Sequence, residues 1–448
     1  MKKLDFKQTM LLSSLIFGMF FGAGNLIFPV HLGQLAGGQW LTATIAFLLS
    51  ATVIPLLALI ALSQTRSAGV YDLAKPLGSG FAIFFLIAAH VSLGPMIATP
   101  RTATVAYSLS FGNWLPQGGQ QIGLFIFSAI FFMTVFWLGS REKNVTKYIG
   151  KYLNPIFVIL IGMIFLIALI HPMGGLTHTP TSAYQTSAFS SAFLEGYNTL
   201  DAIAALTFGI SIVRAIQGLG FSDSGVIAKI TAKTGIIAIS GIAVMYIGLI
   251  LLGATSLSRF NLSENGTIAL MQITTYYLGD LGGAFLAVMG IIAVLTTAIG
   301  LTASFAQDFH RIFPKLSYKK WLFITIFLSF IASNFGLDTI ISWALPVLMF
   351  LYPIAITLIL LGVLSPLFNN ARIVYLPTMI LTFIPAILDG IKNLPAHISG
   401  SATIEPLVSW YTNHIPFADV GLEWVITTIV GFVVGLVLYR IQRQSTLN

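Results

Sequence analysis

Apolar runs long enough to cross a bilayer follow one another along almost the whole chain, separated by short polar segments. A membrane-spanning helix needs about 20 mostly apolar residues, because the hydrocarbon core is about 30 Å thick. On this criterion the sequence predicts twelve spans, at residues 8–31, 39–63, 79–107, 120–139, 150–171, 192–218, 230–254, 281–309, 319–335, 339–363, 374–390 and 422–439. The ninth span is short and the eleventh contains Pro377 and Pro385, so eleven spans remain an alternative. We therefore expect an all-α polytopic membrane protein.

The predicted spans divide into two stretches of similar length. Spans 1 to 5 occupy residues 8–171, and spans 6 to 10 occupy residues 192–363. Because five is odd, the second stretch must enter the membrane in the opposite orientation, which predicts an inverted 5+5 repeat. Residues 374–439 then form two additional C-terminal helices, and residues 1–448 form a single membrane domain.

Span 1 is interrupted at its middle by Gly22, Ala23, Gly24 and Asn25, where glycine weakens a helix most. Backbone freed from helical pairing at membrane depth is tolerated only where it is buried in protein or lines a polar cavity. The carbonyls that end the inner half, near Phe21, attract cations, and the amides that begin the outer half attract a carboxylate. This break predicts a secondary transporter that binds a zwitterionic substrate and a cation.

The first helix of the second repeat is expected to be broken as well. Span 6 contains Thr207, Phe208 and Gly209 at its middle, and Phe208-Gly209 repeats the Phe21-Gly22 pair of span 1. Glycine also lets neighbouring membrane helices pack closely, so unwinding and packing are both open for Gly209.

The charge distribution predicts the orientation of the chain. With the N-terminus inside, all Lys and Arg residues except Arg101, Arg259 and Lys392 fall in cytoplasmic segments, as the positive-inside rule requires. Both termini are then cytoplasmic, and we expect a multi-pass protein of the cell (inner) membrane. This dispersed pattern also accounts for the net charge of +8 without a nucleic-acid partner.

The composition excludes several classes of function. Hydrophobic residues make up 56% of the chain and charged residues 8%, against roughly a quarter charged in soluble domains, and the mean hydropathy is +0.92. There is no cysteine, no His or carboxylate pair at the spacing of a metal site, and no phosphate-binding loop followed by lysine. We therefore expect neither an enzyme nor a cofactor. A channel is a weaker alternative, because ionisable residues occupy too few span positions for a polar pore.

Three motifs resemble those of bacterial branched-chain amino acid:cation symporters. They are FGMFFGAGNLIFP at residues 17–29, EGYNTLD at 195–201 and ALTFG at 205–209, and the resemblance covers nearly the whole chain. It implies a fold of the leucine-transporter type and uptake of leucine, isoleucine and valine. The implied partners are the amino acid, membrane lipid and a monovalent cation, with sodium expected and a proton as the alternative.

The resemblance also implies a sodium site. In span 8, Thr296 and Thr297 place two hydroxyls one turn beyond the carbonyl of Ala293, and in the resembled fold such a pair completes a site with span 1 carbonyls. Gly18 and Phe21 are expected to provide the carbonyl oxygens that bind sodium. The structural alternative is that the threonines bond to their own helix and bend it.

Asp201 is the ionisable residue whose position in a span is hardest to explain structurally, because a charge at this depth is costly unless it is paired or protonated. It can bind the substrate ammonium, join a cation site, carry a proton, or only accept hydrogen bonds from a broken helix end. Together with residues 22–25 and 207–209 it forms the predicted substrate site. Glu195 lies nearer the surface and is expected to be solvated.

Span 3 adds His90 and Arg101, separated by a Gly94-Pro95 pair that predicts a kink. Arg101 either pairs with a span 6 carboxylate, Glu195 or Asp201, as an outer gate or, as we expect, extends to the lipid headgroups. His90 is a proton relay if the coupling ion is a proton, and otherwise a hydrogen-bonded interior residue.

Overall fold

The computed structural model describes residues 4–111, 116–141 and 147–445, and most of these residues are helical. The helices are α1 (Phe6–Phe20), α2 (Ala23–Ala36), α3 (Trp40–Leu48), α4 (Ile54–Thr65), α5 (Val70–Ala74), α6 (Ser79–Val91), α7 (Ala98–Ser110), α8 (Gln120–Gly139), α9 (Asn154–Ile170), α10 (Ser182–Glu195), α11 (Asp201–Gly218), α12 (Ser224–Ser256), α13 (Gly266–Leu278), α14 (Leu281–Ile312), α15 (Tyr318–Ser333), α16 (Leu337–Leu364), α17 (Arg372–Lys392), α18 (Ala396–Ser399), α19 (Glu405–His414) and α20 (Glu423–Ser445).

Within the described ranges, ten helical runs are long and apolar enough to cross a membrane. They are Ala23–Thr65, Ser79–Ser110, Gln120–Gly139, Ile149–Ile170, Ser182–Gly218, Ser224–Ser256, Leu281–Ile312, Leu337–Leu367, Arg372–Lys392 and Glu423–Gln444. A shorter apolar helix, α1, precedes them with 15 residues, and α15, where span 9 was predicted, has 16. The chain is thus a multi-pass helical membrane protein, and the count of twelve spans stays a prediction.

The first span is broken where the glycines predicted it. Helix α1 ends at Phe20, Phe21 and Gly22 are extended, and α2 begins at Ala23. A Cβ atom added at Gly22 would lie 2.8 Å from the side chain of Thr297, so glycine lets α14 approach the break closely.

The sixth span is broken at a different place from the one predicted. Helix α10 ends at Glu195, a 3-10 turn covers Gly196–Thr199, and Leu200 has φ +65° before α11 begins. Helix α11 is continuous through Gly209, so of the two alternatives left open for this glycine, unwinding is wrong. A Cβ at Gly209 would lie 2.8 Å from Leu62 Cδ1, which shows that this glycine serves close packing.

The predicted kink in the third span is present. A π turn, Ser92–Met96, separates α6 from α7, and Gly94 inside it has non-helical angles of φ −78° and ψ −107°. The ring of Pro95 prevents regular helical pairing here, so α7 runs in a new direction beside α14.

Two glycine contacts hold the outer pair of helices together. A Cβ at Gly431 would lie 2.7 Å from Thr378 Cα, and one at Gly435 would lie 2.8 Å from Val374 Cα. The higher-numbered residue of α20 contacts the lower-numbered residue of α17, so the two helices are antiparallel. This register brings the start of α20 next to the end of α17.

Candidate functional site

The two helix breaks meet at one buried cavity. Residues of the span 1 break and of the turn before α11 line it, together with side chains from α7, α11 and α14. The predicted site residues that line it are Gly22, Ala23, Gly24, Asn25, Arg101, Asp201, Phe208 and Thr297. Two members of the predicted substrate site lie elsewhere: Thr207 donates to Ala204 O at 3.1 Å within α11, and Gly209 faces a second cavity beside α4.

One side of this cavity presents hydrogen-bond donors. The first hydrogen bond of α2 runs from Leu26 N to Gly22 O at 3.2 Å, so the amides of Ala23, Gly24 and Asn25 precede helical pairing. The N-terminal end of a helix carries a partial positive charge. An anion entering the cavity would therefore meet amide donors in a favourable field.

Arg101 lies directly against these amides. Its guanidinium donates from Nη2 to Asn198 O at 2.8 Å and lies 5.1 Å from the centre of the Phe28 ring. A Cβ added at Gly24 would approach Nη2 to 2.5 Å. Arg101 is 3% exposed, so the expected extension to the headgroups is wrong. The carbonyl freed by the span 6 turn draws the side chain inward, because a buried guanidinium requires acceptors.

Asp201 joins three helices at the same level. Its carboxylate accepts from Asn25 Nδ2 at 2.8 Å to each oxygen, and from Tyr246 Oη at 2.5 Å. Asn25 Oδ1 in turn accepts from Gly22 N at 3.1 Å. Through these hydrogen bonds Asp201, on α11, connects the break of span 1 to α12. The sequence analysis missed Tyr246, and the signal that could have found it is a tyrosine at the middle of an apolar run.

The opposite side of the break presents oxygen acceptors. Thr297 Oγ1 donates to Gly18 O across the α1–α14 contact at 3.3 Å. Thr296 Oγ1 instead donates to Ala293 O of its own helix at 2.7 Å. Phe21 closes α1 by donating its amide to Phe17 O at 2.8 Å, and the two rings stack. The two threonines thus differ, since only Thr297 reaches the broken helix.

His90 belongs to another polar cluster. Its Nε2 lies 3.0 Å from Asp308 Oδ2, Arg311 Nη2 lies 3.2 Å from Asp308 Oδ1, and Arg311 Nη1 lies 2.8 Å from Asp72 Oδ2. On α14, Asp308 follows Thr297 by about 16 Å along the helix axis, so this cluster is separate from the cavity. Sequence analysis missed both aspartates because it considered His90 only with Arg101.

Glu195 ends α10 and is half-buried rather than fully solvated. It adjoins the Asn198 side chain in the turn that also supplies the carbonyl bound by Arg101. In this arrangement Arg101 is hydrogen-bonded to backbone rather than ion-paired with Glu195 or Asp201.

Asp201→Asn tests whether the carboxylate stabilises the contact between the two helix breaks. The amide keeps one acceptor oxygen but turns an NH2 group toward the donors Asn25 and Tyr246, so we expect a loss of about 1.5–3 kcal/mol, the range for hydrogen bonds to charged groups. The measurement is the thermal unfolding temperature of purified protein in detergent, which should fall. Asp338→Asn changes an exposed carboxylate and should leave that temperature unchanged. Equal unfolding temperatures for the two variants would contradict this stabilising role.

Comparison with known proteins identifies a matching family and similar sequences. The model of one family, described as branched-chain amino acid transport protein, matches residues 5–442. The chain is 38% identical over 97% of both chains to the branched-chain amino acid permease BrnQ of Lactobacillus delbrueckii subsp. lactis. It is 35% identical over 98% of both chains to BrnQ of Bacillus subtilis, and 34% identical to BrnQ of Escherichia coli K12, covering 96% of this chain and 95% of that one.

Two solved structures have the same overall fold at low sequence identity. One is Mhp1, a nucleobase-cation-symport-1 family transporter in a closed conformation with bromovinylhydantoin bound. It has a TM-score of 0.56 and 16% identity, over 93% of this chain and 96% of the other. The other is MhsT in complex with L-phenylalanine, with a TM-score of 0.55 and 14% identity, over 98% and 99%.

Proposed function

The chain belongs to the branched-chain amino acid transport protein family, and we propose that it imports leucine, isoleucine and valine by symport with sodium. Its relatives are branched-chain amino acid permeases, which are not enzymes, so it is an amino acid transporter. The observation that carries the proposal is the cavity at the span 1 break, which is lined by the first residues of α2 and by Thr297, whose hydroxyl reaches Gly18 O of α1. A zwitterionic amino acid needs this pairing of unlike helix ends.

In this proposal the substrate carboxylate binds the amides of Ala23 and Gly24 at the start of α2. Arg101 adds a positive charge beside them, because its guanidinium lies against Gly24. The aliphatic side chain packs on Phe20 and Phe208, whose rings meet edge to face at 5.3 Å at the apolar end of the cavity. A dry aromatic surface suits a branched side chain, since apolar burial supplies the affinity.

Sodium binds on the carbonyl side in the same proposal. The carbonyls of Gly18, Phe21 and Ala293 and the hydroxyls of Thr296 and Thr297 are the proposed ligands. The cross-helix contact between Thr297 and Gly18 supports it, because it brings a hydroxyl oxygen and a carbonyl oxygen together at the break. An ion there would tie α1 to α14 and so link cation binding to the substrate cavity.

We extend the proposal to the arrangement of the spans. Residues 8–171 and 192–363 form the two inverted repeats, within twelve spans and with both termini in the cytoplasm. The breaks before α2 and before α11, in the first span of each proposed repeat, support this. Alternating access would then arise as one repeat moves against the other around the shared site.

Leucine uptake into liposomes containing only this protein tests the function. We expect accumulation under an imposed sodium gradient and none in protein-free liposomes. Accumulation under a proton gradient alone would show that the coupling ion is a proton and not sodium. Asp201 and His90 would then be the candidate proton carriers. Absence of uptake under every gradient, with folded and inserted protein, would contradict the proposed substrate.

Gly24→Ala tests the substrate site. The added methyl would lie 2.5 Å from Arg101 Nη2 and 3.0 Å from Asn198 O, so the guanidinium must shift from the amides. Overpacking of this kind costs about 1–3 kcal/mol, and we expect leucine binding to weaken by roughly tenfold or more. Gly283→Ala is the matched control, because its methyl meets nothing within 4 Å. An unchanged leucine dissociation constant in Gly24→Ala would remove the amides of α2 from the site.

Thr297→Val tests the sodium site with a side chain of the same shape. It removes the hydroxyl that contacts Gly18 O, so uptake should need a higher sodium concentration for half-maximal rate. Thr302→Val on the same helix is the control, since its hydroxyl donates to Ala298 O of α14 itself at 2.8 Å. If both variants respond to sodium as the unmodified protein does, Thr297 is structural.

A further inference from the structure

A third group of buried polar side chains lies at the junction of α17, α19 and α20, outside the two proposed repeats. Asp389 is near the end of α17 and Glu423 begins α20, and each is 1% exposed. The antiparallel packing of α17 and α20 brings the two side chains together, and a Cβ added at Gly421, two residues before Glu423, would lie 4.0 Å from Asp389 Oδ2. Two buried acids side by side are costly unless their charge is compensated.

The charged groups that face this pair are few. From α17, Lys392 places its Nζ 3.7 Å from Asp389 Oδ1 and also donates to Ala418 O. From α19, the Tyr411 hydroxyl lies beside both carboxyl groups. One ammonium therefore faces two carboxyls, and with both ionised one negative charge would remain uncompensated.

Several polar atoms of the cluster lack partners. Both oxygens of Glu423, Oδ1 of Asp389 and the hydroxyl of Tyr411 are buried and form no hydrogen bond. Burying a polar group without a partner costs free energy, and in most proteins such groups are satisfied. Two carboxylates cannot satisfy each other, because each can only accept. A proton on one of them makes it a donor to the other and leaves a single negative charge opposite Lys392.

We propose that Asp389 and Glu423 share one proton and form a proton-binding site separate from the substrate cavity. The proton comes from the aqueous phase in contact with the 393–422 segment, and it is released there when the pair ionises. Among the described residues there is no group of three or more His or acidic side chains that could hold a metal ion.

The pair is connected to the span 6 break through aromatic rings. Trp424 follows Glu423, and its indole nitrogen adjoins the hydroxyl of Tyr197. Tyr197 lies in the 3-10 turn before α11 and stacks on Tyr352, with ring centres 4.0 Å apart. Loss of the proton would leave a second negative charge at the junction that adjoins this turn.

Infrared spectroscopy of the full-length protein in lipid tests the proposal. Protonated carboxyl groups have a C=O stretch that ionised ones lack, so we expect a band at neutral pH that disappears as the pH is raised. Glu423→Gln and Asp389→Asn should each abolish the same band, because an amide on either partner donates permanently and leaves the other carboxyl ionised. Glu405→Gln changes an exposed carboxyl of α19 and should retain the band. Gel filtration confirms that each variant is folded.

Three results would overturn the proposal. The first is the absence of any titrating carboxyl band in the unmodified protein, which requires no variant to fold. The second is retention of the full band in both Glu423→Gln and Asp389→Asn, which would assign it to other buried acids such as Asp201 or Asp308. The third is loss of the band on adding sodium at constant pH, which would make the pair a metal-ion site.

Discussion

The hydrogen bonds between Asn25 and Asp201 are the interaction on which the rest of this structure depends. A helix broken at membrane depth leaves backbone groups unpaired, and no water is present to satisfy them. Asn25 compensates the span 1 break on one side by accepting from Gly22 N, and on the other by donating to Asp201 at the start of α11. Each break thereby stabilises the other. The two breaks lie next to each other, and the cavity forms between them.

The span 1 break separates hydrogen-bond donors from hydrogen-bond acceptors within a few residues of the chain. The amides of α2 and the guanidinium of Arg101 lie on one side, while Gly18 O and Thr297 lie on the other. Glycine makes the separation possible, because a side chain at position 22 or 24 would fill the space between the helices. In the transport proposed above, an amino acid and a cation would occupy neighbouring positions of opposite polarity, and this would be the physical basis for their coupling.

Among the described residues, the buried acids Asp201, Asp308, Asp389 and Glu423 lie in three clusters. Asp201 is compensated by neutral donors, Asp308 by His90 and Arg311, and Asp389 by Lys392 together with the proton proposed above. Each cluster joins helices that are distant in sequence, because an ionisable group in an apolar core is retained only where several helices converge on it. Such clusters mark the junctions that must open and close if the helices move.

The amino-acid sequence by itself determined the membrane class, the break of span 1 beside Gly22 and the kink at Gly94, since each depends on local composition and on glycine and proline. Tertiary structure decided the rest. Helix α11 is continuous at Gly209, where Leu62 packs against it, and the sixth span breaks instead at Leu200. Arg101 turns inward because the carbonyl of Asn198 is free to accept, and Tyr246 reaches Asp201 from α12. These outcomes depend on partners far away in the chain, and local periodicity carries no information about which helices become neighbours.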